Sequence, residues 1–85
     1  MEEKIISGEV SFIPIETANY LDDVENVIEI IKRSGLDYEI NSFSTIIRGN
    51  KSKIFETLQQ IFETMETRTK FVLVVKISNT CGCEV

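Results

Sequence analysis

The stretch Ser34–Gly49, SGLDYEINSFSTIIRG, decides the fold of this chain of 85 residues. It contains two short runs rich in apolar residues, Leu36–Asn41 and Phe43–Gly49, which are linked at the polar pair Asn41-Ser42. Two such runs with so short a link favour an antiparallel β-hairpin, although no glycine occupies the turn. Gly35, just before the hairpin, is the residue type that most commonly follows the end of a helix. The stretch therefore predicts a helix, two paired strands and a new element after Gly49.

Apolar residues at helical spacing indicate one helix on each side of this hairpin. Both stripes follow spacings of four, three and four residues, which is typical of an amphipathic helix with one buried face. The stripe residues are Tyr20, Val24, Val27 and Ile31 before the hairpin, and Ile54, Leu58, Ile61 and Met65 after it. Thr17 or Asn19 can cap the first helix, and Asn50 or Ser52 can cap the second.

Two further runs, Ile5–Ile15 and Phe71–Ile77, have the alternation or the β-branched content of strands. The complete order is strand, helix, strand, strand, helix, strand. With right-handed crossovers, this order predicts the ferredoxin-like βαββαβ split fold of the α+β class. We expect one domain over residues 1–85, with a four-stranded antiparallel sheet, both helices on one face, and a flexible tail at 78–85.

The charge balance limits the possible partners. The formal net charge is −5, with 14 acidic and 9 basic residues, and the basic residues are scattered along the chain. Phosphate recognition needs clustered Lys and Arg, so this distribution argues against a nucleic-acid partner. No apolar run approaches the roughly 20 residues of a membrane-spanning helix. We expect a cytoplasmic protein with neither a nucleic-acid nor a membrane partner.

The residues that usually carry chemistry are scarce in this sequence. It has no histidine, and its two cysteines lie together as Cys81-Gly82-Cys83. A structural zinc site takes four ligands, which this chain cannot supply from Cys and His alone. We interpret the cysteines as exposed thiols of the tail, with a redox pair or a soft-metal clip as alternatives. No catalytic constellation is recognisable, so we expect neither an enzyme nor a cofactor or metal site.

The strands carry apolar residues on both faces, although helices would cover only one face of such a sheet. Ile13 and Ile15 alternate with the residues that fit the helix side, and Val72 and Val74 do the same on the last strand. An exposed apolar face of this kind usually marks an interface. We therefore predict a homodimer or homotetramer that forms through the open sheet faces.

Polar side chains interrupt that open face and form a candidate site. Glu9 and Ser11 lie on it by alternation, Glu39 points to it from the hairpin, and Arg48 is on the same side. Covered polar groups need partners, because burying them unpaired is costly. They either line a ligand pocket, or they satisfy one another through pairs such as Arg48 with Glu39 and Lys76 with Glu9.

Three segments of the chain together resemble the thiamine-binding, YkoF-like family of small ferredoxin-like proteins. They are GEVSFIPI at 8–15, SGLDYEINSFSTIIRGN at 34–50 and FVLVVKI at 71–77. The resemblance runs from about Gly8 to Ile77. It implies a homo-oligomer that binds thiamine, or the hydroxymethylpyrimidine portion of thiamine, without transforming it.

The resemblance also implies a ligand site in and around the hairpin. The candidate ligand-binding residues are Ser11, Glu39, Thr45, Glu9, Tyr38, Phe43 and Arg48. A thiamine cation needs a carboxylate, an aromatic face and hydroxyl groups, which Glu39, Tyr38 or Phe43, and Ser11 with Thr45 could supply. Family members more often carry glutamate where this chain has Arg48. Counted strictly along its strand, Thr45 points to the helices, and a bulge near Asn41-Ser42 would be needed to turn it to the open face.

A second class of function stays open at this point. The polar set can belong to a structural or regulatory homo-oligomerisation domain that has no ligand. A cavity beside these residues would favour ligand binding, whereas a dry, interdigitated interface would favour assembly alone.

Overall fold

A computed structural model describes residues 4–81 of the chain. Its elements are β1 (Ile5–Ile15), α1 (Tyr20–Arg33), β2 (Asp37–Ile40), β3 (Thr45–Asn50), α2 (Lys51–Met65) and β4 (Lys70–Ser78). The strands form one antiparallel sheet in the order β2-β3-β1-β4. The predicted α+β fold, with its ferredoxin-like element order, is therefore confirmed.

Strict alternation along β1 separates the two faces of the sheet. Ile6 and Val10 are buried against the helices, and Phe12 packs on the same core. Ile13 and Ile15, from the alternate set, are exposed on the other face. Because side chains of a strand alternate between faces, β1 divides the sheet into a helix-covered side and an open side.

The two helices bury most of the predicted stripes. The buried stripe residues are Val27 and Ile31 of α1, and Ile54, Ile61 and Met65 of α2. Tyr20 departs from the pattern, because it is the first residue of α1 and remains exposed. Within residues 4–81, neither helix has the length and apolar character needed to cross a membrane.

The helix ends agree in part with the predicted caps. Asn19 and Asn50 occupy the N-cap positions, but neither side chain makes a capping hydrogen bond. The Thr17 hydroxyl instead donates to the carboxylate of buried Asp23 at 2.7 Å. Gly35 has φ +81°, the left-handed conformation that a residue following a helix commonly adopts.

The hairpin strands are shorter than the sequence predicts. Residues 41–44 form a loop, which is closed by a hydrogen bond from the Asn41 N–H to the Ser44 carbonyl at 2.8 Å. Phe43, which we placed in the third strand, lies in this loop and is 94% exposed. The polar residues around it favour loop backbone over ladder pairing, which explains the longer connection.

Residues 78–81, the described part of the segment that we predicted as a flexible tail, follow the main body of β4. β4 extends to Ser78, the Ser7 hydroxyl donates to the Thr80 carbonyl at 2.8 Å, and the Arg48 Nε–H donates to the Cys81 carbonyl at 3.1 Å. Residues 82–85 lie outside the described part of the chain. Cys81 is disulfide-bonded, so our interpretation of it as a free thiol is wrong, and Cys83 lies outside the described residues.

Candidate functional site

The open face of the sheet has an apolar half, as the sequence predicts. Ile13 and Ile15 of β1 lie opposite Val72 and Lys70 of β4, and Val74 follows along the same edge. The four apolar residues of this set are all exposed. They form a patch at one end of the face, which we call the apolar end and define as Ile13, Ile15, Val72 and Val74.

The opposite half of the open face carries ion pairs. Lys76 Nζ lies 3.7 Å from Glu9 Oε1, which is the predicted pair. Arg48 Nη1 lies 3.8 Å from Asp37 Oδ2, and the predicted pair with Glu39 does not form. The register explains the difference, because Asp37 is directly opposite Arg48 whereas Glu39 is opposite Ile46. Such exposed pairs stabilise a fold by roughly 0–1 kcal/mol.

A depression of about 310 Å³ lies among these charged residues. Its lining includes Glu9, Arg48 and Lys76, together with Ile46 and the main chain near Gly8. Counting the Asp37 beside Arg48, two cations face two carboxylates, so the local charges balance. The depression therefore lacks the uncompensated charge that would select a charged ligand.

A second cavity, of about 160 Å³, lies on the helix side where the hairpin loop leaves the sheet. We call it the hairpin cavity. Its apolar wall comes mainly from α1, with Val24, Val27, Ile28 and Ile31, and its polar wall from the loop and the adjacent strand ends. The polar lining residues are Ser11, Tyr20, Asn41, Ser42, Ser44 and Thr45. No residue that lines this cavity carries a formal charge.

Thr45 is the most deeply placed polar residue of the hairpin cavity. It is only 9% exposed, and no described residue forms a hydrogen bond with its hydroxyl. Within residues 4–81, every fully buried side-chain nitrogen or oxygen atom has a hydrogen-bond partner. The Thr45 hydroxyl therefore reaches the cavity surface, where it is free to donate and to accept a hydrogen bond.

Two neighbouring hydroxyl groups fix the loop that closes this cavity. The Ser11 hydroxyl donates to the Phe43 carbonyl at 3.2 Å, and the Ser44 hydroxyl donates to Glu9 Oε2 at 3.1 Å. Both bonds attach the loop to β1 through side chains of its open face, Ser11 and Glu9. The loop that lines the cavity is thereby fixed to the sheet.

The structure divides the predicted site residues between the two sides of the sheet. Ser11 and Thr45 line the hairpin cavity, whereas Glu9 lines the depression on the open face and accepts a hydrogen bond from Ser44. Thr45 points to the helices, as strict alternation requires, and no bulge interrupts its pairing with Ile40.

The other candidates lie farther away. Arg48 and Glu39 are on the open face, Tyr38 is on the helix side of the edge strand β2, and Phe43 is at the loop tip. Sequence reasoning missed Asn41, Ser42 and Ser44 as lining residues. Their signal is the polar run around Phe43, which we assigned to a turn and the start of a strand.

Metal ligands are not brought together in the described part of the chain. Among residues 4–81, no group of three or more His, Cys, Asp or Glu side chains is placed to hold a metal ion. The residues that line the hairpin cavity offer a ligand hydrogen bonds and apolar contact.

Comparisons with known proteins agree with this fold and indicate a family. Residues 8–84 match the model of a family described as thiamine-binding protein. Among curated proteins, none matches the chain.

Several solved structures share the fold. A Thermotoga maritima protein proposed to act in thiamine biosynthesis or salvage is 21% identical with a TM-score of 0.79, and the match covers 87% of this chain and 82% of that one. A hypothetical protein from Methanocaldococcus jannaschii is 25% identical with a TM-score of 0.82, covering 95% and 86%. A domain of unknown function from Bacillus cereus is 18% identical with a TM-score of 0.80, covering 96% and 82%.

Proposed function

Because the chain belongs to the thiamine-binding protein family, we propose that it binds thiamine through the aminopyrimidine ring, without catalysis, in the hairpin cavity. The observation that carries this proposal is the Thr45 hydroxyl, which lines that cavity and makes no hydrogen bond to any described residue. Because this hydroxyl reaches the cavity surface, it is free to donate a hydrogen bond to a ligand and to accept one from it.

The size of the cavity favours one ring rather than a whole cofactor. Pockets for drug-sized ligands have volumes of roughly 300–1,000 Å³. The hairpin cavity, at about 160 Å³, is well below that range. The pyrimidine half of thiamine would occupy it, and the thiazolium half would extend past the loop.

The lining of the cavity also suits a neutral aromatic amine. An aminopyrimidine has a flat apolar face and an edge that both donates and accepts hydrogen bonds. The α1 wall, with Val24 and Ile28, offers apolar contact to the face. The Thr45 hydroxyl and the Asn41 amide can each donate and accept at the edge.

Charge outside the cavity supports a cationic ligand. Glu9 is tied to the loop by Ser44 and is paired with Lys76, whereas Glu39 directly precedes the lining residue Ile40 on β2. Glu39 makes no ion pair with any of residues 4–81; its side chain is on the open face of the edge strand β2, so its charge would act on a thiazolium only at long range, around that edge. The net charge of −5 adds a weak general attraction for cations.

We expect Thr45→Val to weaken binding of thiamine and of hydroxymethylpyrimidine by about tenfold. The substitution keeps the shape of the side chain and removes one hydrogen bond, which contributes about 0.5–1.5 kcal/mol. Isothermal titration calorimetry with both compounds measures the effect. Thr64→Val, on α2 away from the cavity, is the matched control and should bind like the parent.

The same titration separates the proposed ligand from the proposed site. If neither compound binds the parent protein at millimolar concentration, the proposed function is wrong. If both compounds bind the parent and Thr45→Val equally well, the proposed ligand is supported and the hairpin cavity is the wrong site.

We also propose that two copies stack through the apolar ends of their open faces. The patch is self-complementary, and the charged half of each sheet would remain at the rim of such a contact. Light scattering at micromolar concentration should give at least twice the chain mass of 9.7 kDa. Ile13→Glu should lower that mass, because it places a charge in the apolar contact. A parent protein that is monomeric at this concentration contradicts the assembly.

A further inference from the structure

The segment that follows β4 crosses the open face of the sheet. Ser78 of β4, Ser7 of β1 and Arg48 of β3 are neighbours in the register, so they form a row across three strands. The Thr80 N–H donates to Ser78 Oγ at 3.2 Å, and the Ser7 hydroxyl donates to the Thr80 carbonyl at 2.8 Å. The segment therefore runs along this row, from β4 over β1 towards β3.

Cys81 lies at the far end of this segment, beside β3. The Arg48 Nε–H donates to the Cys81 carbonyl at 3.1 Å, which holds the backbone of Cys81 in place. Cys81 also lines the open-face depression of about 310 Å³ and is only partly buried. A small solute that enters the depression can therefore approach this residue.

Cys81 is disulfide-bonded, and its own chain offers it one partner. The sequence contains two cysteines, Cys81 and Cys83, which are separated by Gly82. Cα atoms two residues apart are separated by at most about 7 Å, and a disulfide joins Cα atoms that are about 4.4–6.8 Å apart. Cysteines at this spacing can therefore bond or separate without any movement of the sheet or the helices.

A disulfide at this position contributes little to holding the fold together. It joins no two elements, because Cys81 and Cys83 both follow β4 in the sequence. The stabilisation that a disulfide provides decreases with the length of the loop it closes, and this loop has a single intervening residue. Structural disulfides resist reduction by glutathione, whereas exposed ones are more often labile, regulatory or catalytic. The position of the bond therefore indicates redox chemistry rather than structural support.

We propose that Cys81 and Cys83 form a redox-active pair, which a low-molecular-weight thiol reduces and the corresponding small disulfide reoxidises. In the first step, the small thiol loses its proton, attacks one sulfur of the pair and breaks the S–S bond. A mixed disulfide forms, and the released cysteine takes up the proton. A second small thiol then attacks the mixed disulfide, which releases the other cysteine as a thiol and forms the small disulfide. Two electrons and two protons reach the protein, and reoxidation reverses both steps.

Arg48 is a positioning residue for this pair. The carbonyl that accepts its hydrogen bond belongs to the peptide group between Cys81 and Gly82, which is part of the ring that the disulfide closes. Holding this peptide group in one orientation reduces the conformational entropy that ring closure costs. Arg48 therefore favours the disulfide over the dithiol. The pair does not depend on the hairpin cavity, so it can stand or fail independently of the proposed function.

Titration with glutathione tests the redox pair in the intact chain. The protein is equilibrated without denaturant at a series of ratios of reduced to oxidised glutathione, alkylated, and analysed by intact mass spectrometry. We expect one transition, from no alkylated thiol to two alkylated thiols per chain. The circular dichroism spectrum should be the same at both ends of the titration, because the fold does not depend on the bond.

Each other result of this titration contradicts the proposal. A disulfide that persists in a large excess of reduced glutathione is a structural bond. Thiols that stay reduced in excess oxidised glutathione, or that stop at one glutathione adduct per chain, do not close onto each other. A disulfide-linked dimer on a non-reducing gel shows that the bond joins two chains.

Arg48→Met tests the positioning role, with Lys76→Met as the matched control. Loss of the hydrogen bond to Cys81 should shift the glutathione ratio at half-reduction by about threefold to tenfold in favour of the dithiol. Lys76→Met removes a cation from the same depression, where Lys76 pairs with Glu9, and should behave like the parent. Arg48→Gln, which keeps an N–H donor, should recover part of the loss. Equal shifts for Arg48→Met and Lys76→Met, or no shift for Arg48→Met, would contradict the positioning role.

Discussion

Val24→Phe should reduce thiamine binding at least a hundredfold and leave the fold intact. Val24 is a half-buried residue of α1 whose side chain lines the hairpin cavity. A phenylalanine there would place a ring in the space that the pyrimidine needs. A hundredfold loss corresponds to about 2.7 kcal/mol, which is more than any single hydrogen bond in the site contributes. Calorimetric titration measures the affinity, and circular dichroism checks the helix content.

Val24→Ala is the matched control for this experiment. It removes apolar contact at the same position without blocking the cavity, so its affinity should stay within about fivefold of the parent's. If Val24→Phe binds as tightly as the parent, the ligand does not occupy the hairpin cavity. If both variants lose binding equally, contact with Val24 rather than free volume determines the affinity.

The element order could be predicted because each element has a local signal. The alternation of β1 places Val10 inside and Ile13 outside from the sequence alone, and the structure agrees. Gly35 marks the end of α1 for a conformational reason that holds in any fold. The hairpin loop was harder to predict, because Asn41, Ser42 and Ser44 are compatible with both a turn and a strand end.

The site was predicted less well because it depends on tertiary packing. Alternation correctly directs Thr45 toward the helices, but it does not show that α1 leaves space beside it. The ion-pair partner of Arg48 depends on the register of β2 with β3. Shifting this register by two residues would place Glu39, instead of Asp37, opposite Arg48. The sequence pattern indicates on which face of the sheet a side chain lies. Cavities and ion pairs also depend on the length of each loop and on the strand register, which the pattern does not give.

The clearest test of the two faces compares neighbouring isoleucines of β3. Ile47→Ala should lower the free energy of unfolding by about 2–5 kcal/mol. Ile47 is 0% exposed at the centre of the core, between the sheet and both helices. Typical domains have a stability of only about 5–15 kcal/mol, so this single change would remove a large share of it. Urea titration followed by circular dichroism measures the loss.

Ile46→Ala is the matched control, because the same side chain is truncated one residue away on the open face. In a single copy of the chain Ile46 is half-buried, so its truncation should cost less than half as much as that of Ile47. The cost should rise with protein concentration if copies stack over this face, because assembly stabilises the folded state by mass action. Equal losses for both variants at low concentration would contradict the assignment of the helix-covered and open faces, and with it the position of the hairpin cavity.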